Sequence, residues 1–401
     1  MLTRLIADNA FYARKFAGIR LPLASLDQLA ELPTTTKDEL VAGAANGSAP
    51  ANLTWPLDRY VRYHQTSGTH GRPMPVFDTA EDWQWWIDGW QFVLDAADVT
   101  AADRALLAFS FGPFIGFWSA HDALVARGAM VIPGGGMNTR ARLDLIDRTS
   151  PTVLLCTPTY ALHLADAAAE CGFDLAGTTV ARIIVAGEPG GSIPAVRARI
   201  EQAWQAQVID HAGASEVGPW GYGDAERRGV HILESEFIAE FVGVESGQPA
   251  RDGELSRLLL TSLGRAGLPV VRYETGDLVC PRWSDAGPNR FVLLEGGVLG
   301  RADQMLIVRG VNIFPSAIEQ ILRSFPEVAE FRLTARKRGA MDELVVEVED
   351  RLSAPARIAE EMYVRLGLKI DVRLAPPASL PRFEGKGRRF IDQRNEQGET
   401  A

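Results

Sequence analysis

RALLAFSFGPFIGFWSAHDALVARGAMVIPGGG, residues 104–136, decides the fold class in one run. Its first eight residues are mostly apolar and of the right length for a buried strand. The middle reads as a loop entering a helix, and a second apolar stretch, Ala129–Ile132, ends in glycines. Strand, crossover helix and strand make a parallel pair, since only a long connection can join parallel neighbours. The alternation continues. ARLDLIDR sits in a helix expected over 138–149, TVLLCTP is a strand, TYALHLADAAAECG a helix, and RIIVAGEPGG strand plus turn. IPAVRARIEQAW is a helix with Pro194 near its first turn and Ser192 as its cap. QVIDHAGASEVG is again strand plus loop.

Outside 104–215 the pattern changes. The first twenty residues read as an amphipathic helix with Leu2, Leu5, Ile6 and Ala10 on one face, and Thr36 is placed to cap a helix starting at Lys37, with Glu39 in its first turn. In EDWQWWIDGWQFVLDAADV, Trp83, Trp86, Ile87 and Trp90 recur at helical spacing, which points to a packed face rather than a binding stripe. Residues 230–298 hold short β-rich pieces, as of a small antiparallel sheet or distorted barrel packed on the first unit. From Arg301 onward strands and helices mix again over about one hundred residues. The expected class is α/β: a large N-terminal domain (1–299) with parallel α/β sheets and a small β-rich subdomain (about 230–298), then a small mobile α+β C-terminal domain (300–401).

Bulk properties narrow the function. With 401 residues, 46% apolar and 23% charged, the chain has the make-up of a soluble globular enzyme. A net charge of −10 disfavours a nucleic-acid binder. Cys156, Cys171 and Cys280 are scattered without CxxC spacing, so neither a disulfide framework nor a zinc knuckle is indicated. No apolar run is long enough to span a membrane and the N-terminus lacks a secretory pattern; cytoplasmic residence is the default expectation.

Ligands in parallel α/β sheets sit beyond the carboxyl ends of the strands. Here those loops are FGPFIGFW, PGGGMN, CTPTY, AGEPGG and HAGASEVG. A further loop, HQTSGTHGRPMPVF (64–77), offers hydroxyls and consecutive backbone N–H groups suited to an anion, yet it lacks the Lys of a Walker A motif. By itself it is equally a turn. Glu216 follows a strand in a glycine-flanked loop, where a carboxylate can hold Mg²⁺ against a phosphate or simply be a loop acid. Asp277 in YETGD can accept ribose hydroxyls or close a turn. GEP (187–189) presents a backbone edge for a flat base. Arg301, Asp303, Arg309, Gly310 and Asn312 crowd around one strand, and Lys386 stands between two glycines in a basic tail.

Taken together and in order, these blocks resemble the adenylate-forming superfamily of acyl-CoA synthetases and adenylation domains. TSGTHGRP is similar to its phosphate loop, GASE to its magnesium block, YETGD to its ribose block, GRAD to its hinge and EGKGRR to its C-terminal lysine block. FYARKF, LPTTTKDEL, VIPGGG, CTPTY, the GEP turn, DHAGASEVG, LTSLGRAGLPVVRYETGDL and LIVRGVNIFPSAIEQIL resemble the phenylacetate–CoA ligase branch over nearly the whole chain.

The resemblance implies a two-step reaction. A carboxylate attacks the α-phosphate of Mg·ATP, pyrophosphate leaves, and a thiol, most often that of coenzyme A, takes the acyl group. It implies that Lys386, Glu216 and Thr69 carry the chemistry. Thr66, Ser67, Gly68, Thr69 and Gly71 would hold the phosphates, with Mg²⁺ on Glu216 and the ribose on Asp277 and Arg301. Gly187, Glu188, Pro189, Asp210, His211 and Ala212 would surround the adenine. Asp303 would be the hinge, and Arg309, Gly310 and Asn312 would line the thiol channel. His70, Met74 and Ala212 depart from the commonest family pattern, which usually has Thr, Lys and an aromatic residue there. Some members of the branch carry zinc after the SEVG block; His231 is kept, but cysteines near 221–228 are missing, so no zinc is expected.

An acyl pocket is expected around Phe109, Phe114, Phe117, Trp118, Ala186, Ala212, Gly213 and Gly218, with ring surface for a flat aromatic acid, hydroxylated or aminated. No Lys or acidic pair marks it for an amino acid. Transfer to a carrier-protein thiol or another nucleophile is the alternative, and a non-catalytic nucleotide-binding protein a remote one. The chain is expected to act as a monomer or homodimer.

Overall fold

The computed structural model describes residues 2–42, 49–66, 73–109, 112–284, 286–287, 289–302, 306–308, 311–313, 315–338, 341–366, 368–382 and 389–394. A nine-stranded mixed sheet organises the first three-quarters of the chain. Its parallel part runs Met130–Pro133, Arg104–Leu107, Val153–Cys156, Arg182–Ala186 and Gln207–Ala214. Antiparallel strands Gly218–Gly223, Gly229–Ile232, Leu293–Glu295 and Pro281–Arg282 extend it.

Alternation along the strands sorts their side chains to two faces. Ile183, Val185 and Val208 pack with residues of helices Pro158–Cys171 and Pro194–Trp204, including Tyr160, Leu164, Ile200 and Trp204. Ile184 and Ile209 point the other way, to Trp83, Trp86 and Trp90 of helix Ala80–Ala96 and to helix Ile115–Arg127. The tryptophan stripe is therefore core, as its spacing suggested. Thr79 and Asp82 close a reciprocal capping box at the start of helix Ala80–Ala96. Asp82 also accepts the backbone N–H groups of Ala266 and Gly267 at 2.8 and 3.1 Å, fastening the LTSLGRAGLP turn to that helix.

Three local expectations change. The N-terminal helix is two, Leu2–Asp8 and Ala10–Lys15, because Asn9 leaves helical geometry and caps the second by accepting the Tyr12 N–H at 3.1 Å. Ser192 does not cap the helix at Pro194; Ile193 occupies that position without a side-chain bond, and the Ser192 hydroxyl goes to Asp210 instead. The β-rich segment is divided. Phe237–Gly243, Ser256–Ser262, Tyr273–Val279 and Gly300–Arg301 form their own antiparallel sheet, while its other strands lengthen the large one. The capping of helix Lys37–Ala42 is as expected, with Glu39 N–H on Thr36 Oγ1 and Thr36 N–H on Glu39 Oε2.

The C-terminal part has a second core. Strands Asp371–Leu374, Met341–Asp350, Val328–Arg338 and Phe390–Asp392 form a four-stranded sheet. Phe331, Leu333 and Ala335 alternate inward against Ile318, Leu322, Ile358 and Met362 of helices Pro315–Arg323 and Pro355–Leu366. No helix of the described residues is long and apolar enough to cross a membrane.

Candidate active site

The site forms where the parallel strands end and the smaller sheet meets them. Strand Gln207–Ala214 turns back into Gly218–Gly223, and Glu216 sits in that turn, 8% exposed. Lys37 Nζ lies 3.2 Å from its Oε1, and the Tyr273 hydroxyl donates to the same oxygen at 2.9 Å. Burial alone would raise the Glu216 pKa, but the Lys37 charge, its own backbone N–H and the Tyr273 hydrogen bond outweigh it and hold the carboxyl below its usual range. Neither Lys37 nor Tyr273 stood out in the sequence. Each lies in a block quoted above, but only folding joins positions 179 and 57 residues apart to one carboxylate. The joint is made by backbone: Thr35 N–H donates to Arg272 O, and Glu274 N–H to Thr35 O, both at 2.9 Å.

Asp277 and Arg301 face each other across an antiparallel pair. Arg301 Nη1 donates to Asp277 Oδ1 at 3.1 Å and to the Thr275 carbonyl at 2.6 Å. Gly276, between Thr275 and Asp277 where the strand's pairing is irregular, has φ +76°, and its missing Cβ leaves room for Arg301 Nη2, 2.6 Å from where that atom would be, so the strand favours glycine there. Burial pushes Asp277 up to about 6 against the opposing Arg301 charge. Glu216, Tyr273, Asp277 and Arg301 share one electrostatic neighbourhood, for Tyr273 is raised by burial, Glu216 and Asp277, and opposed by Arg301. The residues expected for magnesium and ribose are thus brought together.

Asp210, Ser192 and the GEP turn form a further group at the carboxyl ends of the neighbouring strands Arg182–Ala186 and Gln207–Ala214. Asp210 Oδ2 accepts the Ser192 hydroxyl at 2.6 Å, and burial raises its pKa to about 6. Gly191 and Gly297 close on it: a Cβ at Gly191 would fall 2.6 Å from Asp210 Cγ, and one at Gly297 2.9 Å from Ser192. Gly187 has φ +93°, and Glu188 Oε1 accepts the Thr159 N–H at 2.8 Å. Pro189 is exposed at the same turn.

His211 points elsewhere, and this corrects its placement with the nucleotide. Strand alternation sends Asp210 and Ala212 to one face and His211 to the other. There its ring packs 4.4 Å from Trp90, and Nδ1 bonds the Gly221 carbonyl at 2.7 Å. Ala186 is its partner on the neighbouring strand. Burial depresses its pKa to about 4, so the ring is neutral. Nδ1 then carries the hydrogen, and Nε2 is an acceptor that takes no hydrogen bond from the described residues. Gly213 adjoins it, since a Cβ there would fall 3.3 Å from Nε2. Phe109 and Trp118 pack at the edge of the same cluster as Trp90, and Phe114 is 40% exposed at the helix start. Gly218 serves another purpose than an acyl wall. Its missing Cβ makes room for Trp85 and Phe237, 2.6 and 2.8 Å from where that atom would be.

Thr66 pairs with Met74 beyond the two-stranded ribbon, donating its N–H to the Met74 carbonyl at 3.0 Å and accepting the Met74 N–H on its hydroxyl at 2.9 Å. Ser67, Gly68, Thr69, Gly71, Asp303, Arg309, Gly310 and Lys386 lie outside the described residues; Phe117 and Asn312 are placed by backbone only, in helix Ile115–Arg127 and strand Val311–Ile313. After the SEVG block, His231 Nε2 and Arg228 both bond Asp224, at 3.0 and 2.9 Å.

With this geometry in place the similarities are specific. Residues 24–236 match the AMP-binding enzyme family and residues 310–394 the AMP-binding enzyme C-terminal domain. Phenylacetate–coenzyme A ligase of Escherichia coli is 32% identical, covering 96% of this chain and 90% of that protein.

The chain belongs to the AMP-binding enzyme family.

Within it, this enzyme falls in the phenylacetate–CoA ligase-like branch and is an AMP-forming acid–CoA ligase. The Thermus thermophilus phenylacetate–coenzyme A ligase is 31% identical over 92% of this ligase and 88% of its own length. Among solved structures, 2-hydroxyisobutyryl-CoA ligase in the postadenylation state superposes with a TM-score of 0.90 at 26% identity, covering 98% of this ligase and 89% of that chain. The same protein in its thioesterification state gives 0.71.

Proposed function

We propose that this ligase activates an aromatic carboxylic acid with ATP and passes the acyl group to coenzyme A. The observation that carries the choice of acid is the wall at the strand ends. Phe109 and Trp118, only partly buried, supply ring surface, Ala186 and Gly213 leave space beside it, and His211, backed by the buried Trp90, adds one neutral acceptor. The phenylacetate ligases that align with over nine-tenths of the chain support the same class.

The nucleotide would lie across the other three groups of residues. Asp277 and Arg301 would take the ribose, and Asp210 with the GEP turn the base. The residues fit a magnesium ion held mainly by phosphate: Glu216 is a single ionised carboxylate, and no cluster of three metal-ligating side chains occurs among the described residues. Bound there, magnesium would neutralise charge on the phosphates. Lys37 and Tyr273 fix the Glu216 carboxylate in advance, so little reorganisation is needed when charge develops. By resemblance, Ser67, Gly68, Thr69 and Gly71 would hold the pyrophosphate. Lys386 would bridge carboxylate and α-phosphate, and Asp303 would be the pivot.

A pyrophosphate-release screen over benzoic, phenylacetic, cinnamic and aliphatic acids, 2-hydroxyisobutyrate included, tests the proposal, followed by identification of the thioester formed with coenzyme A. An aryl acid with the highest kcat/KM supports it. Preference for an aliphatic acid, or transfer to a carrier protein but not to coenzyme A, overturns it.

A further inference from the structure

Where the C-terminal part meets the core, one buried side chain spans the two. Arg389 is 8% exposed. Its Nε and Nη2 meet both oxygens of Glu330, at 2.6 and 2.9 Å, within the C-terminal sheet. Its remaining nitrogen, Nη1, crosses to the core and donates to Thr159 Oγ1 at 3.1 Å, on the first turn of helix Pro158–Cys171. Thr159 is 7% and Glu330 4% exposed, so the crossing is made out of water. The same Thr159 gives its N–H to Glu188 of the GEP turn at 2.8 Å, and its hydroxyl hydrogen also serves Glu188. A chain of contacts, Glu330–Arg389–Thr159–Glu188, thus runs from the C-terminal sheet to the GEP turn. Arg389 is also anchored by backbone, its carbonyl accepting the Leu333 N–H at 2.8 Å.

Charges of both signs crowd the contact, for Arg199 of the core is repelled by Arg323 and Arg351. On the helix that carries Thr159, Asp166 feels Arg323 and Arg351 of the C-terminal part as well as Arg199 of the core. Arg323, itself buried, stacks on Phe331 at 4.9 Å beside the Arg389 guanidinium, which lies 5.4 Å from the same ring.

We propose that Arg389 is a positioning residue for acid activation, a latch that docks the C-terminal domain on Thr159 in the orientation that serves the first half-reaction and must release before thiol transfer. The inference rests on the two-step reaction proposed above. It is favoured by the similarity in overall shape to the postadenylation rather than the thioesterification state of 2-hydroxyisobutyryl-CoA ligase. The Thr159 hydroxyl is a buried acceptor for the guanidinium, and replacing it by an apolar group removes a charge-assisted hydrogen bond out of water. The latch therefore favours one domain orientation selectively.

The test is Thr159→Val, which removes the core's half of the contact and leaves the Arg389–Glu330 pair whole, with Thr159→Ser as the conservative variant and Arg389→Lys as a second probe. Acid-dependent ATP–pyrophosphate exchange and consumption of the preformed acyl-adenylate by coenzyme A are measured separately, using the acid giving the fastest wild-type exchange. The latch predicts that T159V and R389K lose exchange by roughly 10–100-fold, that transfer from the preformed adenylate stays within about twofold or speeds up, and that T159S restores exchange. Parallel losses in both half-reactions, or unchanged exchange in T159V, overturn the latch alone. Absence of wild-type exchange with every acid instead overturns the underlying function, and the latch with it.

Discussion

Removing the Arg265 guanidinium should show how tightly the active-site turn depends on a buried charge pair. Arg265 and Asp78 are both wholly inaccessible, with Nη2–Oδ1 at 2.6 Å and Nε–Oδ1 at 2.8 Å. Arg265 Nη1 also donates to the Ser215 carbonyl at 2.8 Å, one residue before Glu216, and the guanidinium stacks 5.4 Å from the Trp86 ring. Arg265→Met keeps most of the apolar stem but leaves the Asp78 carboxylate uncompensated and the Ser215 carbonyl without this donor. Breaking a buried pair from one side costs about 3–5 kcal/mol, a fall of roughly 6–10 °C in the unfolding midpoint at about 2 °C per kcal/mol for a large domain. The pH dependence supplies the sharper test. Burial already raises the Asp78 pKa, with Arg265 as the main opposition. Without Arg265 it rises further. A carboxyl whose folded pKa lies above the unfolded value favours folding at low pH, and that contribution is lost as pH rises through the folded pKa. The deficit of R265M against wild type, followed by circular dichroism on heating, should therefore be smaller at pH 5 than at pH 8. Asp78→Leu combined with Arg265→Met should regain part of the loss, because no charge is left unpaired. A deficit below about 1 kcal/mol, or one equally large at both pH values, would refute this account.

Three further outcomes follow from the site. Lys37→Met should raise the KM for Mg·ATP roughly tenfold while leaving the acid's KM near wild type, through loss of a charge-assisted contact to Glu216; an unchanged ATP KM in steady-state pyrophosphate release would count against Glu216 as the magnesium carboxylate. On the proposed reading, Asp277 accepts both ribose hydroxyls as a carboxylate and loses one acceptor and its charge when protonated; with its pKa raised to about 6, wild-type ATP affinity should be present above that pH and fall away below it. Asp277→Asn should bind ATP about 10–100-fold more weakly near neutrality, discriminate less against 2′-deoxy-ATP and lose that acid limb, all readable from ATP titrations of pyrophosphate release. His211→Phe keeps a ring on Trp90 but removes Nε2. Aryl acids bearing a hydroxyl or amino group should lose about tenfold in kcat/KM relative to the unsubstituted acid, and an unchanged ratio would remove His211 from the acyl wall.

Much of the vocabulary of the candidate site is local, and therefore readable. Loop acids after strands, glycine turns and a lysine between glycines announce themselves by residue type. Glu216, Asp277 and Arg301 meet as their blocks suggested. Lys37 and Tyr273 did not announce themselves, because a lysine on a helix's first turn and a tyrosine in a strand have many ordinary uses. His211 was misplaced for a related reason: neighbours in sequence, Asp210 and His211, sit on opposite faces of one strand. Gly218 illustrates the reverse error, since a missing side chain makes space without saying whether substrate or tryptophan will fill it.

What the sequence alone determined was the class of fold and of chemistry, since hydrophobic period sets strand and helix, and motif order sets the family. Which residues touch was decided only by tertiary structure. Sheet register put Arg301 opposite Asp277, pleat sent His211 toward Trp90, and domain docking laid Arg389 on Thr159. None of these is a local property of the chain; each depends on where a distant segment comes to rest, and in the buried interior that placement sets which charges are neutralised and which groups remain available to substrate.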